Sequence, residues 1–220
     1  MNGLWILFLL IFIAALPVFP AFLWFRKLRL KPLSFLLSLA AGILALLFAA
    51  VFQNFLPFPE AGRPGGGGAA SAIFGVFIRV AFVEEFCKYA ALYLLLGWTK
   101  GRKDAGGFAS GAAAGLAAGL GFAAVESASY GAADISIALL RAFTAAPLHA
   151  ACGSRVGAAA ELWGKSRLRG ASAFFTALMI HGIYDLAIVS PVIPAFLAVL
   201  IALTALGSSL AAIRRGGEED

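Results

Sequence analysis

Glu84 and Glu85 stand side by side in FVEEFCKYAALYLLL, residues 82–96, with Lys88 one helical turn on and apolar residues around them. Further along come Glu126 in FAAVE, Arg141 and His149 in RAFTAAPLH, and His181 and Asp185 in HGIYD. Both of the chain's 2 histidines are in this set. Carboxylates beside imidazoles can take up and release protons, hold a reacting water, or ligate a cation. Each of these groups lies in an apolar run. An ionisable side chain near a bilayer centre costs about 2.5–3.5 kcal/mol by insertion scales, so it must face protein or water and find a partner.

Helical phase groups them. Glu84 and Lys88 are four apart, the spacing for an ion pair, while Glu85 is rotated by about 100° and free to face another element. His181 and Asp185 are also four apart, so the carboxylate can hold the imidazole in one tautomer. At about 1.5 Å per residue, Glu84, His149, His181 and Asp185 fall at depths that can share one layer, in the middle to outer part of the membrane, with Glu126 shallower. The expectation is one wet chamber lined from several helices. Arg79, Arg141 and Arg155 read as counter-ions or snorkelling side chains. Glu and His donors also suit zinc with one open position, although the two-histidine HExxH helix is missing.

These groups require elements that cross a membrane. Of the 220 residues, 62% are hydrophobic and only 13% charged, with a mean hydropathy of +0.94. An ordinary soluble domain has about 25% charged residues. Seven apolar segments follow one another, at roughly 3–25, 33–56, 72–97, 107–130, 135–163, 171–189 and 191–213. Their continuous apolar character argues against the alternating strands of a membrane barrel. The fold expected is all-α and polytopic, a single domain over 1–220 with about seven transmembrane helices and a motif-bearing core at 70–190. Basic loops alternate with non-basic ones, which places the N-terminus outside and the C-terminus in the cytoplasm. Basic residues follow the first apolar segment, so it reads as a retained helix rather than a secretory signal.

The net charge of +6 resides in short loops between spans, which argues for the lipid surface and against nucleic acid as partner. Cys87 and Cys152 lie within apolar segments and read as buried thiols. The Gly-rich stretch 65–68 reads as an outward loop. Gly107, Gly111, Gly115 and Gly119 recur every four residues. Such a stripe lets another backbone approach closely, and Glu126, two turns beyond Gly119, projects from the same face.

Taken in order, the motifs resemble those of the PrsW family of bacterial intramembrane proteases. EEFCK (Glu84, Glu85, Lys88) matches the family's EExxK, and FAAVE (Phe122, Glu126) its FxxxE. RAFTAAPLH (Arg141, Pro147, His149) matches a Pro-Leu-x-x-His-like element, with His149 here directly after Pro-Leu, and HGIYD (His181, Asp185) the final HxxxD. The family is similar in turn to the CAAX prenyl proteases, whose FxxxH carries a histidine where this chain has Glu126. The resemblance implies an endopeptidase of the bacterial inner membrane, multi-pass, cutting a single-span, anti-sigma-factor-like protein near the outer face.

Within that resemblance, the catalytic candidates are Glu84, Glu85, Glu126, His149 and His181, supported by Lys88, Phe122, Asp185 and Arg141. Lys88 is expected to neutralise one glutamate while the other, Glu84 by analogy with the CAAX enzymes, takes a proton from water. A site without cofactor is the favoured reading. Zinc held by Glu84, Glu126, His149 and His181 is the alternative. A proton- or ion-coupled transporter using the same cluster is the other functional class, although the inverted repeats common in transporters are not visible.

Overall fold

The computed structural model describes residues 3–55, 69–100 and 110–216. The stretch 65–68 and Gly107 lie outside the described residues. Every described element is helical: α1 (Gly3–Lys27), α2 (Pro32–Phe55), α3 (Ala69–Phe74), a π-helical segment (Gly75–Phe82), α4 (Val83–Lys100), α5 (Gly111–Gly131), α6 (Ile135–Phe143), α7 (Ala145–Leu162), α8 (Arg167–Val189) and α9 (Phe196–Gly216). Five of them, α1, α2, α5, α8 and α9, are long and apolar enough to cross a membrane, and the bent pair α6–α7 makes a sixth if taken as one span. The unbroken helical run from α3 through α4 carries Arg79, Glu84, Glu85 and Lys88, and it is not among the spans that length and composition identify.

The segment expected as one span over 135–163 is broken. Its two halves meet at 46° across Thr144. Pro147 supplies the reason. It has no N–H to offer the carbonyl four residues earlier, at Phe143, and its ring collides with that carbonyl. The helix stops at Phe143 and restarts at Ala145, which leaves Pro147 in a first turn, where its missing N–H costs nothing.

The core is built on α5. In its most apolar stretch 72% of residues are buried, against 11% for α1. One face meets α7, where a Cβ on Gly115 would lie 2.0 Å from the carbonyl oxygen of Gly153 and one on Gly157 would lie 2.0 Å from that of Gly111. The opposite face meets α2, where a Cβ on Gly42 would lie 1.8 Å from the Ala118 oxygen. Close backbone approach replaces large side chains as the source of packing, as expected where lipid offers no hydrophobic drive. Glu161, at the end of α7, accepts a 2.7 Å hydrogen bond from the Gly111 N–H and so closes the first turn of α5.

The outer helices turn large apolar side chains outward, including Leu4, Phe8 and Phe12 on α1, Phe48 on α2 and Leu200 on α9. Apolar exposure on this scale marks a lipid-facing surface. Cys87 and Cys152 are free and buried. Arg155 on α7 is satisfied by neutral acceptors, the carbonyls of Ala151 and Ala205 and the hydroxyls of Ser208 and Ser209, and ties α7 to α9.

Candidate active site

Six elements bring the polar residues together: α2 (Gln53), the helical run through α4, α5 (Glu126), α6 (Arg141), α7 (His149) and α8 (His181, Asp185). The run through α4 carries the adjacent glutamates. The π-helical turns at Gly75–Phe82 are wider than α-helical ones and occur mostly at functional sites; here they end immediately before Glu84 and Glu85. Phe77 from this segment fills the space that a side chain at Gly182 would need, since a Cβ there would lie 2.3 Å from its ring. That seat draws α8 in beside α4, with His181 and Asp185 on either side of the contact in sequence.

Glu85 is the most enclosed carboxylate. Its Oε1 accepts from Lys88 Nζ at 2.6 Å and lies 2.6 Å from His181 Nδ1, and its side chain is 0% exposed. The lysine therefore pairs with Glu85 at spacing i+3, and the expected i+4 pair with Glu84 is not formed. The reason is tertiary. His181 and His149 approach on the side of Glu85, and Lys88 also lies 3.1 Å from His149 Nδ1 and sits over the Phe122 ring at 4.3 Å. One side chain thus serves a carboxylate, an imidazole and an aromatic face.

Among the described residues Glu84 has no lysine or arginine at hydrogen-bond distance. Its Oε1 accepts from the side-chain amide of Gln53 at 3.2 Å. Its Oε2 lies 3.8 Å from His181 Nε2 and, though buried, has no hydrogen-bond partner. The other nitrogen neighbour relations of His181 are set by carboxylates: Nε2 also lies 3.3 Å from Asp185 Oδ2. Glu126 meets His149 Nε2 at 2.7 Å and Arg141 at 2.5 Å, and Arg141 stacks over Tyr130 at 4.4 Å. The two imidazoles stand edge to face, with ring centroids 5.1 Å apart.

Glu84, Glu126, Arg141, His149 and Asp185 line a cleft of about 660 Å³, with Gln53 and Arg79 also in its walls. Glu84, His149 and His181 each offer one ligand atom, all within 4.8 Å of one another. Two imidazoles and a carboxylate with an unpartnered buried oxygen fit a zinc ion in donor type and spacing. Glu126, named with them as a fourth ligand, is outside that close group, and its carboxylate meets His149 Nε2 and Arg141. Gln53 and Tyr130 were missed in the sequence. A glutamine at the end of an apolar run reads as a span boundary, and only the fold turns it toward Glu84.

A model of the PrsW family of intramembrane metalloproteases matches residues 31–208. The chain belongs to that family. No curated protein and no solved structure matches it. The matched range begins before Gln53 and runs past Asp185, so this PrsW-family chain carries its whole polar cluster inside the region of likeness.

Proposed function

We propose that this PrsW-family protein is an endopeptidase that hydrolyses a peptide bond of a single-span, anti-sigma-factor-like membrane protein near the outer face. The observation that carries the reading is the convergence of Glu84, His149 and His181 to within 4.8 Å. Glu84 and His149 stand in the wall of the cleft of about 660 Å³. A seven-span topology goes with it, the charged run through α4 being the seventh span, with the N-terminus outside and the C-terminus in the cytoplasm of a bacterial inner membrane.

Hydrolysis needs a nucleophilic water, an acceptor for its proton and a donor for the leaving amine. Glu84 Oε2 is the acceptor: Glu84 lines the cleft and no protein donor occupies this oxygen. The water oxygen attacks the carbonyl carbon as its proton passes to Glu84. The carbon–nitrogen bond then breaks, and the same proton is delivered to the departing nitrogen. His181, held at Nδ1 by Glu85, points Nε2 toward the reacting space and stabilises negative charge on the carbonyl oxygen. Lys88 compensates Glu85, which leaves Glu84 without a lysine or arginine partner among the described residues.

The family's description and the donor set both favour a zinc-dependent version of this site. Glu84, His149 and His181 would hold the ion, and zinc would supply polarisation of water or carbonyl. Glu85 would then orient the His181 ring from behind, as carboxylates do for metal-ligating histidines, whereas His149, met by Glu126 at Nε2 and by Lys88 at Nδ1, would give up one of those contacts to the ion.

The experiment is co-reconstitution of the purified protein with a single-span substrate in liposomes. Cleavage is expected from the native chain and is expected to fall by about 10²–10⁴-fold in Glu84→Gln. A folded Glu84→Gln protein that cuts at the native rate would overturn the assignment.

A further inference from the structure

Resting on that reading, we propose that Gln53, braced by Arg79, is a positioning residue that pins one oxygen of Glu84 and leaves the other to face the reacting water. Gln53 is the chain's 1 glutamine and lies in the last turn of α2. Its side-chain amide Nε2 donates to Glu84 Oε1 at 3.2 Å, while its backbone carbonyl oxygen accepts from Arg79 Nη2 at 3.1 Å. Arg79 belongs to the π-helical segment, five residues before Glu84. The end of α2, the arginine and the glutamate therefore close a triangle. The backbone from which the amide projects is tied to the same helical run that carries the carboxylate.

The chemistry explains why the donor is an amide. Glu85 and Glu126 each have a basic side chain in contact, Lys88 and Arg141 respectively. A cation at Oε1 of Glu84 would tie up the charge that the reaction uses. A neutral N–H fixes rotation of the carboxylate and leaves that charge in place. It also distinguishes two oxygens that are otherwise equivalent: Oε1 is held, and buried Oε2 has no hydrogen-bond partner. Hydrogen bonds to a charged acceptor are stronger than neutral ones, so a single amide suffices.

Two measurements test this. In the cleavage assay, Gln53→Met keeps the length and removes the donor. It is expected to lower kcat about 10–100-fold, as removal of an orienting partner does, with KM changed less than about twofold. Gln53→His returns a ring N–H to the same place and is expected to recover most of kcat, and Arg79→Met is expected to lower kcat in the same sense but less. Infrared difference spectra of the native and Glu84→Gln proteins identify the Glu84 carboxylate band, which Gln53→Met should move. Gln53→Met with native kcat, or with a raised KM that Gln53→His does not restore, overturns the proposal, as does an unmoved band. If the native chain cuts nothing, the protease reading falls, and the infrared band alone decides whether Gln53 orients Glu84.

Discussion

A Cβ placed on Gly119 would sit 1.9 Å from the carbonyl oxygen of His149. The backbone of α5 therefore rests directly on the residue that presents an imidazole to the cleft, and no side chain fits between them. Gly119→Ala must push α7 outward and carry His149 away from Lys88 and Glu126. Overpacking of this kind costs about 1–3 kcal/mol. Thermal unfolding in detergent should show the loss, and cleavage should fall with it. Gly97→Ala, where a Cβ meets nothing within 4 Å, should leave both unchanged.

Removing one partner of a buried ion pair strands the other. Lys88→Met leaves Glu85 fully enclosed and facing only His181, and breaking such a pair costs about 3–5 kcal/mol. The double variant Glu85→Gln/Lys88→Met removes both charges and should recover much of the stability, read by the same unfolding measurement. It should not recover activity, because His181 loses the carboxylate that orients Nδ1. A double variant as unstable as Lys88→Met alone would show that the pair is not the source of the loss.

Metal dependence has a direct readout. If Glu84, His149 and His181 hold zinc, the purified protein should retain about one ion per chain, as three protein ligands and one open position imply. His181→Ala and Glu84→Gln should each retain less. Chelation should abolish cleavage and added zinc restore it. Full activity after chelation, with no metal retained, would assign the water's activation to Glu84 alone.

Glu126 meets His149 at Nε2 and is itself bound by Arg141. Glu126→Gln keeps a polar group near Nε2 but removes the charge that Arg141 binds. The expected effect is a loss of about 10–100-fold in kcat, the range for groups that orient a reacting residue, and smaller than that of Glu84→Gln. Equal losses in the two variants would place Glu126 among the reacting groups.

Much of this arrangement was legible before any coordinates. The apolar segments marked the long helices, since hydropathy over about 20 residues is a strong signal. The polar residues expected in one layer do meet at one cleft. What escaped was decided by tertiary contacts. Ideal helical spacing favours Glu84 as the partner of Lys88, but His181 comes against Glu85 and His149 against Lys88, and the lysine pairs on that side. Gln53 looks like any amide at the end of a span until α2 is packed against the run carrying Glu84. The break at Thr144 was readable in principle, because Pro147 stands four residues after Phe143. Uninterrupted apolar character masked it. The π-helical turns left no comparable trace, since their residues are those of an ordinary apolar helix.

The contrast between α5, with most of its apolar stretch enclosed, and α1, with little, bears on how the protein meets different bilayers. A thicker or thinner hydrocarbon layer strains the helices that touch lipid, which respond by tilting at a small cost per ångström. In this chain that strain falls first on α1, at the periphery. The central helix on which the imidazole-bearing backbone rests is insulated from it. Changes in lipid chain length should therefore alter how the protein sits in the membrane well before they alter the distances among its reacting groups.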